Sequence, residues 1–517
     1  MSDCIARDVL DHAERTPDAP ALWWRESTVS YAALAELTRR AGAALTAAGL
    51  HRDAPIALRA VKSPASIAMT LACFRARRPV FLVSPDLGRE VLATLLLRSG
   101  CQAEATADEA DGGGTFALHP PATAEYSATP APADPAAEPA ESAESTAKAA
   151  PPLPSGTGLL LTTSGSTGIP KIVPLGREAL GRFTDWAMGT FGLGPGTTVL
   201  NYAPLNFDLC LLDIWATLRG GGRVVPVAPD LATNPHQLER LLRRTRPQVV
   251  QAVPMFFRLL VQAASGGDPV PGVRHVLLTG EHTPRGLRAQ LAPLFPEAVF
   301  HNVYGCTETN DSLVHSFPAA EAAERETLPL GRPLPGVTVQ LRDGERTVEG
   351  PGTGELMVTT PFQSTGYLGA AGTEDRFVPV ATDTGERVWY RTGDLVRRGT
   401  DGELTLVGRN DFQVKVAGVR VNLEQIETVI LSHPKVLDAV VVPLPDPLAG
   451  TRLCAVVRTA PDSDLTSLRL LGHCSAGLAR AALPTFRLTR EPLPTGPTGK
   501  ADRARIKEEL LKDPALT

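Results

Sequence analysis

The segment Leu159–Pro174 reads LLLTTSGSTGIPKIVP, a leucine run followed by hydroxyls, glycines and a lysine. Thr163, Ser164, Ser166 and Thr167 supply hydroxyl donors, Gly165 and Gly168 let the backbone turn tightly, and Lys171 adds a positive charge. Backbone N–H groups in such a turn form a concave anion site, so this pattern suits a phosphate clamp. The Walker A spacing of glycines before Lys-Ser/Thr is absent. Four further residues carry charge in suggestive places. Asp208 lies among Phe207, Leu209, Leu211 and Leu212, where a carboxylate needs a partner. Glu308 follows Thr307 in NVYGCTETN, Asp394 sits in YRTGDLV, and Lys500 ends PTGPTGK.

Taken singly, each has an ordinary reading. Asp208 suits a helix cap or a counter-ion for a cationic ligand, and its segment alone favours the cap. Glu308 reads as a solvated loop carboxylate or as a magnesium ligand beside nucleotide phosphates. Asp394 reads as a turn former or as a partner for ribose hydroxyls. Lys500 reads as an exposed loop lysine.

The elements that must position these groups alternate along the chain. Tyr31–Leu50 and Ser63–Arg75 carry helical spacing, and Pro55–Leu58 and Val80–Val83 read as strands. Arg177–Phe191 reads as a helix, and Thr198–Tyr202, Val249–Val253, Val276–Thr279 and Ala298–Val303 read as strands. The alternation predicts an α/β fold with a largely parallel sheet, whose strand C-termini are the usual ligand edge. From Leu330, short strands punctuated by Gly, Pro and Asp-Gly predict a small β-rich subdomain. Phe412–Val416 and Val419–Val421 read as paired strands about Gly418, followed by a helix over Leu423–Leu431. The expected organisation is a large N-terminal domain over 1–408 and a small mobile α+β domain over 409–517. Residues 105–153 are rich in Ala, Pro, Glu and Ser, and are expected to be a disordered insertion.

Composition narrows the class. The chain has 517 residues, 43% hydrophobic and 21% charged, with a net charge of −5. That balance supplies no basic field for nucleic acid. No apolar run reaches membrane-spanning length, and the N-terminus has no signal-peptide core. Seven scattered cysteines without a C-x-x-C pair suggest reduced thiols and a cytoplasmic location.

In combination and in order, the motifs resemble the adenylate-forming superfamily, in particular stand-alone adenylation enzymes related to nonribosomal peptide synthetase adenylation domains. SYAALAEL, TTSGSTGIPK, NFDLCLLDIW, NVYGCTETN, GELMV, YRTGDLV, GRNDFQVKVAGVRVNLEQIE and PTGPTGKADR carry the likeness across nearly the whole chain. It implies ATP-dependent activation of a carboxylic acid as its adenylate with release of pyrophosphate, in the presence of Mg2+. Transfer follows to the phosphopantetheine thiol of a carrier protein, in natural-product biosynthesis. By resemblance, Lys500 bridges the carboxylate and α-phosphate, Thr307 contacts the α-phosphate, and Glu308 binds Mg2+. Thr163, Ser164, Gly165, Ser166, Thr167, Gly168 and Lys171 would handle the β,γ-phosphates. Tyr304 would stack on adenine, Asp394 and Arg409 would hold the ribose, and Asp411 would be the hinge. The chain ends soon after Lys500, so the carrier is expected to be a separate protein.

The resemblance also places Asp208 against a substrate ammonium, pointing to an amino acid. Leu209, Leu212, Gln251, Leu278, Gly280, Val303, Asp311 and Ser312 would complete the pocket. Asp311 disfavours an acidic side chain and suits a polar or cationic one. An acyl-CoA ligase and a catalytically silent nucleotide-binding scaffold are the alternatives.

Overall fold

The leucines at Leu159–Leu161 are buried on alternating faces of the strand Thr157–Thr163, so both sides of the sheet beneath the glycine-rich loop are covered. The computed structural model describes residues 4–108, 114–121, 151–163, 169–264, 268–369, 376–382, 385–410, 412–460, 463–494 and 502–512. Ser164–Gly168, Asp411 and Lys500 lie outside these residues.

Two sheets form most of the large domain. In one, Ala103–Asp108, Ile56–Arg59, Val80–Val83 and Thr157–Thr163 run parallel, and Lys171–Gly176 returns antiparallel. In the other, Val299–Cys306, His275–Leu278, Val249–Ala252, Thr198–Asn201, Arg223–Pro226 and Pro20–Trp24 are parallel neighbours in that order. Val-, Leu- and Ile-rich strands buried on both faces are what a helix-covered parallel sheet requires. Helices such as Pro64–Arg75 and Arg177–Phe191 pack in the main core against Trp215 and Leu159. Ser63 caps the first through its side chain, with Pro64 in the first turn.

The expected insertion over 105–153 is too wide. Ala103–Asp108 and Thr115–His119 pair antiparallel and extend the first sheet. Their sequences, AEATAD and TFALH, bury small residues, Ala103 and Ala105, which carry little strand signal in an alanine-rich segment. Residues 109–113 and 122–150 lie outside the described set.

Beyond these sheets, Thr338–Asp343, Gly352–Thr359, Phe377–Thr382, Gly385–Arg398 and Leu404–Arg409 build the antiparallel β subdomain. The smaller C-terminal domain has its own core. Val436–Asp446 and Gly450–Thr459 pair antiparallel, and the helices Leu423–Leu431 and Arg503–Leu511 cover opposite faces of that sheet.

A hairpin joins the two domains at the cleft. Gln413–Val416 and Val419–Asn422 pair about Ala417 and Gly418, both with positive φ, at 49° and 84°. Positive φ at both central residues is the geometry of the tight hairpin turn that matches strand twist. A Cβ on Gly418 would stand 2.4 Å from Val253 Cγ1, so only glycine seats this turn so close to the large domain. Elsewhere Arg258 donates to the Leu448 carbonyl at 3.1 Å, and Gly88 packs against the backbone of Ala476.

Candidate active site

Parallel strands deliver the candidate residues to one edge. Thr163 ends Thr157–Thr163, Gln251 lies near the end of Val249–Ala252, and Thr307 and Glu308 follow Val299–Cys306 directly. The pairing of that last strand with Asn310–Pro318 shifts register between Tyr304 and Gly305. Such a bulge re-aims side chains at a strand end. Asn310 turns the chain with φ at 54° and donates to the Phe362 carbonyl at 2.8 Å.

Glu308 is the centre of a dense polar cluster. It is 1% exposed. Its carboxylate accepts from Tyr367 at 2.6 Å, from Thr163 at 3.4 Å, and from Arg420 at 3.2 Å on both oxygens. Burial alone would raise this carboxyl, but Arg420 and the hydroxyls of Tyr367 and Tyr390 outweigh it and hold it at about 2. Lys171 lies 4.6 Å from the Tyr367 ring centroid, which ties the far end of the glycine-rich loop to the same cluster.

A second carboxylate lies beside it. Asp394 pairs in register with Arg409, whose guanidinium bonds it, while the Tyr304 hydroxyl donates to its other oxygen. Gln413 connects the two carboxylates: its side-chain oxygen accepts from Arg409 and from Arg420. Gly418 N–H donates to Glu281 at 2.5 Å, fastening the hairpin turn to the cleft wall.

Asp208 sits in the turn before a π-helical stretch, Leu211–Ala216. Cys210 takes the cap position, and Asp208 instead lies beside the Thr307 hydroxyl. Burial raises its carboxyl, while Thr307 and the Lys415 ammonium pull the other way. Asp208 is thus near enough to Glu308 for the two charges to interact. π-Helical turns are rare and recur at functional sites.

The expected pocket wall separates into two layers. Asp208, Leu209, Gly280 and Asp311 keep part of their surface open, whereas Leu212, Gln251, Val303 and Ser312 are buried behind them. Gln251 donates to the Leu209 carbonyl at 3.1 Å and to Asp213 at 3.0 Å. Ser312 donates to Thr309 and to the Asn310 carbonyl. Leu278 does not belong to the wall. Strand alternation turns it to the opposite face, against Phe256 and Phe257, while Leu277 shares the Gln251 side. The expected position is one residue out of phase, and a one-residue slip exchanges the two faces.

Several groups at the cleft carried no sequence signal. Tyr367 and Glu281 come from unremarkable loops. Lys62 is buried and donates to the carbonyls of Asn201 and Tyr202 at 3.2 and 3.0 Å; burial lowers its ammonium to about 8. Asp213 and Gln413 lie inside quoted motifs, but only the fold shows what they touch. Asp213 is fully buried and accepts from Asn201 at 3.1 Å.

The chain matches the AMP-binding enzyme family over residues 9–368 and the AMP-binding enzyme C-terminal domain over residues 425–500. It is 30% identical over 520 residues to a D-alanine–D-alanyl carrier protein ligase of Bacillus velezensis, covering 97% of this chain and 99% of that protein. It is 34% identical over 371 residues to the L-proline–[L-prolyl-carrier protein] ligase of Streptomyces coelicolor, covering 70% and 68%. Its fold superposes on the Vibrio cholerae adenylation domain AlmE, solved with glycyl-adenosine-5'-phosphate, with a TM-score of 0.79 at 21% identity, covering 99% and 98%. The family match spans most of the chain, and with it the polar cluster about Glu308 and Asp394 finds its setting: this protein belongs to the AMP-binding enzymes.

Proposed function

We propose that the protein activates an amino acid as its aminoacyl-adenylate, with release of pyrophosphate, and passes it to the phosphopantetheine thiol of a separate carrier protein. The observation that carries this reading is Asp208, a largely buried carboxylate that lies near Thr307 and Glu308. In a mainly apolar wall, such a group is best matched by an ammonium close to the reacting carboxylate. The named activities of the carrier-protein ligases above support the same assignment. The cytoplasm, with its reduced thiols, is the compartment we assign, and natural-product assembly is the setting.

The substrate carboxylate is already ionised at neutral pH, so the residues must chiefly stabilise charge at phosphorus. Lys500 and Thr307 are assigned to the α-phosphate, and Thr163, Ser164, Ser166, Thr167 and Lys171 to the departing pyrophosphate. Tyr304 and Asp394, with Arg409, are assigned to the nucleoside. Glu308, held ionised beside the Thr163 hydroxyl, offers the hard oxygen donors that Mg2+ prefers. When bound, the ion would neutralise phosphate charge. Arg420 bonds the same carboxylate oxygens in this arrangement of the hairpin, so it and the ion would compete for Glu308. Gly418, seated against Val253 and Glu281, then lines the approach for a thiol.

Amino-acid-dependent exchange of pyrophosphate into ATP, measured across a substrate panel, tests the first step. Exchange with simple carboxylic acids but with no amino acid would overturn the reading. Loading of a holo-carrier compared with CoA identifies the acceptor.

A further inference from the structure

We propose that the amino acid carries a second cationic nitrogen in its side chain, and that Asp311 is the residue that receives it. The inference rests on the amino-acid reading above and names the substrate class of that site. Its basis is the unequal compensation of three carboxylates that converge beneath the cleft.

Asp208, Asp213 and Asp311 come from the turn before the π-helix, from the π-helix itself and from the strand Asn310–Pro318. Each is close enough to feel another: Asp208 acts on Asp311, and Asp311 acts on Asp213. Asp213 is satisfied by two amides, Asn201 on one oxygen and Gln251 on the other, with Lys62 nearby. Asp208 has the Thr307 hydroxyl and the Lys415 ammonium. Asp311 has no hydrogen bond and no ion pair among the described residues, although little of it is open to solvent. A second observation points the same way. Asn201 is fully buried, gives its N–H to Asp213, and leaves its own side-chain oxygen without a donor among the described residues. Among the described residues, Asp311 and Asn201 thus both present unmet acceptors.

That census discriminates among side chains. A carboxylate would add a fourth negative charge. An aliphatic side chain would seal Asp311 into the wall with nothing to replace lost water, which is costly for a charge. A hydroxyl or amide supplies one hydrogen bond but no charge. An ammonium or guanidinium supplies both, with donors to spare. One cation then meets Asp208 next to the reacting carboxylate, and the other meets Asp311 along the side chain.

Pyrophosphate exchange with matched pairs tests this: ornithine against norvaline, lysine against norleucine, and 2,4-diaminobutyrate and arginine as further cations. The expected result is a kcat/KM at least roughly 100-fold higher for a cationic amino acid than for its neutral partner. Asp311→Asn should lower kcat/KM for that cation by roughly 30-fold or more, and by a much larger factor than for the neutral partner. Asp208→Asn should lower both, since both carry the first ammonium. Thermal shift with the cationic amino acid and a non-hydrolysable ATP analogue gives a readout apart from turnover: the shift should shrink in Asp311→Asn. Equal losses for both partners, or a preference for neutral amino acids, would overturn this inference alone. Exchange with carboxylic acids lacking any amino group would overturn the amino-acid reading itself and this inference with it.

Discussion

At the scale of single residues, the cleft is governed by how each buried carboxylate is compensated. Glu308 holds its charge because Arg420 and two tyrosines surround it. Among the described residues Asp311 lacks such partners, and burial first and then the Asp208 charge push it up to about 7 from 3.8. An acid whose pKa rises on folding binds its proton more tightly in the folded chain. Stability therefore falls as pH rises from about 4, and the loss is complete once pH passes about 7. Asp311→Asn should match the wild type near pH 4 and exceed it at pH 8, by at most about 4 kcal/mol at roughly 1.4 kcal/mol per unit. Thermal melts of the substrate-free protein at both pH values would check this. A constant difference at all pH values would show that Asp311 is already paired. Residues of this kind stood out in the sequence when they sat in long motifs, as Asp208, Glu308 and Asp394 do, and the fold brings these three to the cleft. Tyr367, Glu281 and Lys62 were not, because each acts on a residue contributed by a distant part of the chain. Leu278 shows a different limit. Motif spacing placed it within one residue, but the pleat decides which face a residue occupies.

At the scale of elements, the hairpin of Gln413–Val416 and Val419–Asn422 has the most exacting fit. Its two-residue turn places Gly418 against Val253, with its N–H on Glu281. Gly418→Ala puts a methyl where Val253 stands and strains a positive φ of 84°. The substitution should leave amino-acid-dependent pyrophosphate exchange within about twofold and slow carrier loading by roughly tenfold or more, an opposition of about 1.4 kcal/mol. Parallel assays of exchange and of carrier thioester formation distinguish the two steps. Equal effects on both would mean that the turn serves folding alone. Ala417 adds to the sensitivity of the turn, because φ at 49° is uncommon for a residue other than Gly, Asn or Asp. The strands of the hairpin were readable from the alternation of Val414, Val416, Val419 and Val421 with Lys415 and Arg420, while its seat in the cleft required the partner surface.

At the scale of the whole molecule, the order of sheets, β subdomain and C-terminal domain follows the order of textures along the chain. Parallel strands announced themselves as Val/Leu runs at Val80–Val83 and Thr157–Thr163, with covered faces on both sides. The edge pair Ala103–Asp108 and Thr115–His119 did not, since alanine fits many structures. This sets the bounds of a tolerated deletion. Removing residues 122–150, whose composition is dominated by Ala, Pro, Glu and Ser, should leave solubility and exchange activity intact, because shortening a connection changes closure entropy only slightly. Extending the deletion to residue 115 removes an edge strand and should lower the melting temperature by several degrees, as about 1–2 kcal/mol does in a domain of this kind. Differential scanning calorimetry on both deletions measures the contrast. Equal melting temperatures would show that the edge strand contributes nothing.

The oxygen of Gln413, shared between Arg409 and Arg420, bears on the pace of the catalytic cycle. One neutral amide links Asp394 to Glu308 through two guanidiniums while the hairpin is seated. Neutrality keeps that grip weak enough to release. Gln413→Glu would place an anion between two cations and lengthen the dwell of the seated state. Carrier loading should then show a single-turnover burst followed by a slow, viscosity-sensitive steady state, because conformational release rather than chemistry becomes limiting. A linear progress curve with no burst would show that seating and release are set elsewhere. If the burst is seen, the amide at this position would act as an escapement, holding the seated state long enough for a turnover without arresting its release.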